Sequence, residues 1–315
     1  MPIHRLSSGG IIANYQCPAA CGHCLYGCSL SAQPGYIDEA TADRLCISLR
    51  RLGCRGLHIG GGEPFLNVDG LVGLIKAIRK SGINLDYIET NAAWITEDGA
   101  RNREILSKIV SADGDCVMVS ADPFHIEFIP FWRPQKLLRL LKDMGISYFV
   151  WQERYWPLLE KLDPQKTHAC HEMQRQCANE YGMRFHGRAL NLLRKHGEKK
   201  PIAPLPAPCA ELRNTSHFHV DFLGRYIPPG CTGMGILLED VGNELNPIDY
   251  PVLSRLFSQG LAGLLPYAQT LGYKLDADGY VSKCELCFEI RKHLISVDRE
   301  GHPDLTPEKF YTQNF

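Results

Sequence analysis

Through its first two-thirds the chain alternates short β-like runs with amphipathic stretches, and this alternation constrains the fold more than any other feature. The runs are Ile11–Gln16, Leu57–Gly60, Tyr87–Asn91, Cys116–Ala121, Ser147–Gln152 and Arg184–Ala189. Asp38 is placed to cap a helix with Leu45, Leu49 and Leu52 on one face, and Asp69 to cap a second with Leu71, Leu74, Ile75 and Ile78 inward. Arg101–Val110, Pro134–Met144 and Pro164–Tyr181 read as further helices. Strands alternating with helices imply parallel pairing through right-handed crossovers. Six such units make an open doubly wound sheet or an incomplete barrel. In both, chemistry gathers at the C-terminal strand ends.

The segment "KKPIAPLPAP", Lys199–Pro208, ends this pattern, because four prolines so close together exclude helix and central strand. It divides the chain into 1–198 and a smaller α+β unit, 199–315. The second unit has a predicted hairpin, His217–Phe222 and Arg225–Ile227 around Gly224, then a helical stretch near Tyr250–Leu271.

Of 315 residues, 44% are hydrophobic and 22% charged, with a formal net charge of −1. This is a globular composition without a broad basic field, so no nucleic-acid partner is expected. Neither a signal-peptide h-region nor an apolar run of membrane-spanning length is seen, so a cytoplasmic protein without membrane contact is expected. Thirteen cysteines are many for a reducing compartment, where they serve more often as metal ligands or catalysts than as disulfides. Cys46, Cys54 and Cys116 lie in apolar periodic segments and read as core.

"CPAACGHC" places Cys17, Cys21 and Cys24 directly after the first strand. The loop reaches at most about 25 Å, ample to wrap a [4Fe–4S] cube and hold three irons. The fourth iron is then open to a small molecule. On the loop alone, zinc held with Cys28, or a closed four-cysteine cluster for electron transfer, also fits. "HIGGGEPF" follows the second strand, where glycines let backbone approach a ligand and Glu63 adds a carboxylate.

Cys-x3-Cys-x2-Cys followed by Gly61-Gly62-Glu63-Pro64 resembles the radical S-adenosylmethionine (radical SAM) superfamily. The resemblance covers roughly residues 10–190, including "IETNA" and "VSADPFH", and implies a partial (β/α)6 TIM-like barrel. It implies that Cys17, Cys21 and Cys24 ligate a [4Fe–4S] cluster whose open iron binds SAM. Gly61, Gly62 and Glu63 would hold the SAM amino group, His23 would back the adenine, and Asn91 and Ser120 would make polar contacts. The reduced cluster would cleave SAM to a 5′-deoxyadenosyl radical that takes hydrogen from substrate. A flavodoxin- or ferredoxin-type donor would supply the electron.

The second cysteine set, Cys209, Cys231, Cys284 and Cys287, suits a closed four-thiolate site of zinc or a second [4Fe–4S] cluster. It resembles the twitch half of SPASM/twitch extensions, with Gly224 in the hairpin. The gap from Gly224 to Cys231 is longer than in that pattern. The resemblance implies one auxiliary cluster.

Asp122, His125 and Glu127 in "ADPFHIEF" fall on the rim after the fourth strand. His125 and Asp122 are the candidate catalytic residues, His125 as acid/base or substrate holder. Arg188 is a candidate carboxylate binder or internal ion-pair member. His168, Cys170, His171 and Cys177 form a weaker metal candidate, with His168 and His171 on one helix face. Cys28 reads as a spectator. The substrate class is a peptide or a small molecule, and few residues precede Cys17, so a peptide would need a separate recognition protein. A non-catalytic iron–sulfur electron-transfer protein or a structural zinc protein is the alternative.

Overall fold

Two consecutive glycines, Gly9 and Gly10, sit in the centre of the sheet. A Cβ on Gly9 would lie 2.4 Å from the Phe218 carbonyl oxygen, and one on Gly10 would lie 2.3 Å from His58 Nε2. The missing side chains let both neighbouring strands close on this one. A computed structural model describes residues 3–205 and 208–313. Its strands are β1 (Ser8–Ile12), β2 (Gly56–Gly60), β3 (Asn84–Thr90), β4 (Cys116–Ser120), β5 (Ser147–Trp151), β6 (His217–Asp221), β7 (Arg225–Ile227) and β8 (Ile236–Leu237). They form one open sheet in the order β5-β4-β3-β2-β1-β6-β7-β8. β1 to β5 are parallel, β6 runs parallel to β1, and β7 and β8 turn back antiparallel.

The helices between the strands are α1 (Glu39–Arg51), α2 (Val68–Lys80), α3 (Gly99–Ser111) and α4 (Trp132–Asp143). Asp38 caps α1 by accepting from the Thr41 N–H at 2.7 Å. Leu45 and Leu49 are buried as expected, while Leu52 is the C-terminal cap. The cap of α2 is Asn67, which accepts from Gly70 N–H at 3.0 Å; Asp69 lies inside the first turn. Two residues with good capping side chains stand two positions apart, and the earlier one reaches the exposed amide.

The expected partial (β/α)6 barrel is corrected in one respect. Arg184–Ala189 is not a sixth strand: it is extended chain ending in a single 3₁₀ turn, Gly187–Ala189. Gly187 has φ +55°, and a Cβ there would lie 2.0 Å from the Leu25 carbonyl oxygen, so this segment packs under the cysteine loop. β5 therefore remains an edge, and the sheet grows instead from its β1 side. The fold is mixed α/β with an eight-stranded sheet that does not close. The first strand also begins earlier than expected. Asn14–Gln16 leaves the ladder and bonds to the turn after β2.

In the proline-rich connection, Pro206 and Ala207 lie outside the described residues. Beyond it, residues after 199 supply β6, β7 and β8 to the same sheet. The stretch near Tyr250–Leu271 is two helices, Pro251–Gln259 and Leu261–Thr270, broken at Gly260 with φ +66°. Cys46 and Cys54 are fully buried, and Cys116 is half-buried at the start of β4. No helix among the described residues is long and apolar enough to cross a membrane.

Phe218 has no exposed surface and packs where β6 meets β1. Phe218→Ala is expected to cost about 3–5 kcal/mol through the cavity it leaves. Urea unfolding monitored by far-UV circular dichroism reads this as a lower midpoint. An unchanged midpoint would show that β6 is held by something other than this seam.

Candidate functional site

The C-terminal ends of β1, β2 and β3 are drawn together by one buried carboxylate. Glu63 has no exposed surface. Its Oε1 accepts from Thr90 Oγ1 at 2.9 Å and Phe65 N–H at 3.1 Å, and its Oε2 accepts from Asn91 N–H at 2.9 Å. Its own N–H donates to Gln16 O at 2.9 Å, and Gly62 N–H donates to Asn14 O at 2.8 Å. Burial raises the Glu63 carboxyl to about 7, against the pull of these donors. A Cβ on Gly62 would lie 2.0 Å from Gln16 O, and one on Gly61, at φ +129°, would lie 2.5 Å from Asn14 O. Only glycine permits this approach. The Glu63 side chain is thus a brace, while Gly61 and Gly62 face the cavity.

That cavity is lined by Cys17, Cys21, Cys24, Cys28, Asn91 and Ser120, with His23, Glu89 and His125 at its sides. The structure therefore brings together the expected cluster ligands and polar residues. Asn91 Nδ2 donates to Cys17 Sγ at 3.3 Å, and Ala19 N–H to the same sulfur at 3.4 Å. Cys28 N–H donates to Cys24 Sγ at 3.3 Å. Cys28 is thus less a spectator than a support: its thiol also lowers the titration of Cys24. Burial pushes Cys17 up to about 12 and Cys21 well above the ordinary thiol value. Burial thus favours the protonated thiols, and a bound cation that replaces their protons would offset it.

The donor set fits an iron–sulfur cluster. Three soft sulfurs border one cavity and receive amide N–H groups of the kind that tune such clusters. A single tetrahedral zinc would hold its thiolates about 3.8 Å apart. Among the described residues, the groups whose ligand atoms lie within 4.8 Å of one another contain no cysteine.

Arg188 holds the backbone of the cysteine loop, a role beyond the carboxylate binding or ion pairing expected of it. Its guanidinium donates to the Cys21 and Cys28 carbonyl oxygens, both at 2.9 Å, and its N–H to Cys24 O at 3.0 Å. It clamps the loop by three of its carbonyls. Tyr15, also unforeseen, donates from its hydroxyl to Asp221 of β6 at 2.9 Å. Its place just before the cysteines was the available signal.

Asp122 is fully buried. Its Oδ1 accepts from Phe124 N–H at 2.8 Å and His125 N–H at 3.1 Å, with His125 Nδ1 3.0 Å away. Burial works to raise this carboxyl, but His125 and His23 outweigh it and hold it below the usual range. His125 rises in turn, Asp122 overcoming the effect of burial. Asp122 thus positions His125, which reaches the cavity. His23 stacks on Phe124 at 4.6 Å, and burial lowers its imidazole to about 4. Glu127 accepts from Gln174 Nε2 at 2.9 Å. The weaker metal candidate is not assembled. Its helix starts at His171, His168 bonds Asp163 O at 2.8 Å, and the Cys177 thiol donates to Gln152 Oε1 at 2.7 Å.

A second cavity is lined by Cys209, Cys231, Cys284 and Cys287 with His186, Lys283 and Arg291. The four cysteines come from three separate segments: ahead of a short helix, after β7, and on the first two turns of the helix Lys283–Val297. Burial raises Cys284 to about 11 and moves Cys209 and Cys231 upward too, with neighbouring cysteines adding to the effect.

The profile of a protein family described as a 4Fe-4S single cluster domain matches residues 11–123, less than half the chain. This span holds Cys17, Cys21, Cys24, the Gly61–Glu63 turn and Asn91, and it supports an iron–sulfur cluster at the cysteine loop. No curated protein matches the chain. Among solved structures, native anSMEcpe with bound AdoMet aligns at 13% identity over 92% of this chain and 97% of its own, with a TM-score of 0.47. Streptococcus suis SuiB bound to S-adenosylmethionine aligns at 13% identity over 89% and 77%, with a TM-score of 0.46. BtrN in complex with AdoMet and 2-DOIA aligns at 14% identity over 83% and 90%, with a TM-score of 0.41.

Each of the two Arg188 side-chain bonds is worth about 1.5–3 kcal/mol as a charged donor. Arg188→Ala is expected to let an iron chelator bleach the loop cluster several-fold faster, with Arg188→Lys between it and the wild type. Visible absorbance during anaerobic chelation reads the rate. Equal rates in all three proteins would remove the clamp.

Proposed function

We propose that the chain is a radical SAM enzyme. The observation that carries this reading is the joining of the three-cysteine loop to the Gly-Gly-Glu turn at one cavity. A structural zinc loop has no use for a second backbone surface facing its thiols. Cys17, Cys21 and Cys24 would hold the cluster, and Gly61 and Gly62 would present backbone to the SAM amino group. When bound, the reduced cluster supplies the electron that cleaves SAM and frees a 5′-deoxyadenosyl radical for hydrogen abstraction.

The chain's own groups do the positioning. Asn91 and Ala19 orient the Cys17 sulfur, Glu63 fixes the turn, and Arg188 fixes the loop. His125, held by Asp122, is placed to hold substrate or move a proton at its free ring nitrogen. His23 lies against Phe124 beside the cavity and offers an aromatic surface to the adenine. Cys209, Cys231, Cys284 and Cys287 would hold an auxiliary [4Fe–4S] cluster closed by protein. A flavodoxin- or ferredoxin-type protein would supply the electron.

The substrate is a peptide or a small molecule. The free edge of β5 favours the peptide, because Tyr148, Phe149 and Trp151 on it are each more than a third exposed. Such an edge offers backbone groups and rings to an extended chain. A separate recognition protein would then present it.

Anaerobically reconstituted protein given SAM and dithionite is expected to release 5′-deoxyadenosine, and a Cys21→Ala variant to release none. Wild-type protein that carries its clusters yet makes no 5′-deoxyadenosine would favour a non-catalytic iron–sulfur protein instead. Iron and sulfide are each expected near eight per chain, about four for each of two cubane clusters. Cys284→Ala should lose iron while 17–24 keeps its share, and a wild-type value near four would eliminate the auxiliary cluster.

A further inference from the structure

Three imidazoles meet on the sheet beside the cysteine-loop cavity, and none of them lines it. In the ladder, Gly10 of β1 lies between His58 of β2 and His219 of β6. Because Gly10 has no side chain, the two rings close over it, and their Nε2 atoms are 3.3 Å apart. His217, on the same face of β6, stacks parallel to His58 at 5.3 Å between centroids and meets His219 edge-on at 5.2 Å. One ring nitrogen from each lies within 4.8 Å of the other two. Tyr87 stacks on His58 at 4.9 Å, and Tyr26 lies edge-on to His219 at 5.5 Å, so the rings are held from both sides.

We propose that His58, His217 and His219 form a site for one divalent cation of the zinc type, with the Glu89 carboxyl beside it and the fourth position left to water. Glu89 Oε1 is 3.5 Å from His58 Nε2. Tetrahedral zinc with bonds of about 2.05 Å sets neighbouring nitrogens about 3.3 Å apart, which matches the His58–His219 separation. Three imidazoles are a donor set for zinc, whereas the cysteine sets offer the thiolates that suit iron–sulfur clusters. His217 is exposed and supplies the way in for the ion. Arg184 acts electrostatically on His217 and His219 and opposes a cation, and the Glu89 carboxylate offsets it. The ion would pin β6 to β2 across β1. It would also sit beside the cysteine-loop cavity, which Glu89 lines as well.

The test uses full-length, cluster-loaded protein incubated with zinc sulfate and desalted without oxygen. Wild type is expected to keep about one zinc per chain, with a zinc K-edge shell of nitrogen and oxygen at about 2.0–2.1 Å and no sulfur. His217→Ala, which removes an exposed ring, and His219→Ala should each lower retained zinc about tenfold, with iron content unchanged. Zinc should raise the unfolding temperature of the wild type and not of His217→Ala. No retained zinc in the wild type, a sulfur-containing shell, or retention in both histidine variants equal to that of the wild type would overturn the proposal. None of these readouts requires SAM cleavage, so they stand or fall apart from the proposed activity.

Discussion

The site depends on a carboxylate that never meets solvent. Glu63 sits in the turn after β2, takes donors from the end of β3, and hangs by its own amide from the segment leaving β1. Parallel strands have no hydrogen bonds of their own beyond the ladder, so their C-terminal ends splay unless something joins them. A buried carboxylate accepting three donors does this, and burial raises its titration in spite of those donors. Once the turn is fixed, Asn91 falls where its amide reaches Cys17, and the cysteine loop acquires a rigid wall.

What the sequence disclosed and what it hid follow from the range of the forces involved. The cysteine spacing, the glycine turn and the Asp38 cap are local chemistry, and each was legible. The fate of Arg184–Ala189 was not. Its apolar and polar alternation suits a strand or an extended strut equally, and the decision lies with Gly187 and Arg188, whose partners are carbonyls of a loop far away in sequence. The imidazole cluster was hidden for the same reason. His58 and His219 are distant in the chain, and only the register of both strands against Gly10 unites them.

The same glycines explain why the C-terminal unit attaches where it does. No further strand among the described residues pairs with β5, and the chain instead adds to the sheet on the β1 side. The β1 edge accepts β6 because Gly9 and Gly10 leave room for Phe218 and His219. Tyr15 then bonds Asp221 at the end of β6, beside the start of the cysteine loop. The sheet thereby carries the loop and the hairpin with Cys231 on one frame, and a displacement of β6 would be felt at both cysteine sets.

Arg291 supplies the physical reason to expect an anionic group in the second cavity. It is buried, and it donates to Thr232 O at 2.7 Å and Tyr311 Oη at 2.8 Å. It also lines the cavity of Cys209, Cys231, Cys284 and Cys287, one turn of helix beyond the last. These oxygens and the Cys287 carbonyl, which accepts from Nε at 3.3 Å, are neutral and do not neutralise a guanidinium, and an uncompensated buried charge costs several kcal/mol, about 3–5 where one partner of a pair is lost. Neutral thiols would leave that cost in place. Four thiolates bound to iron, as proposed for this cavity, would carry the opposite charge into it, so the arginine and the metal group would each lower the cost of burying the other.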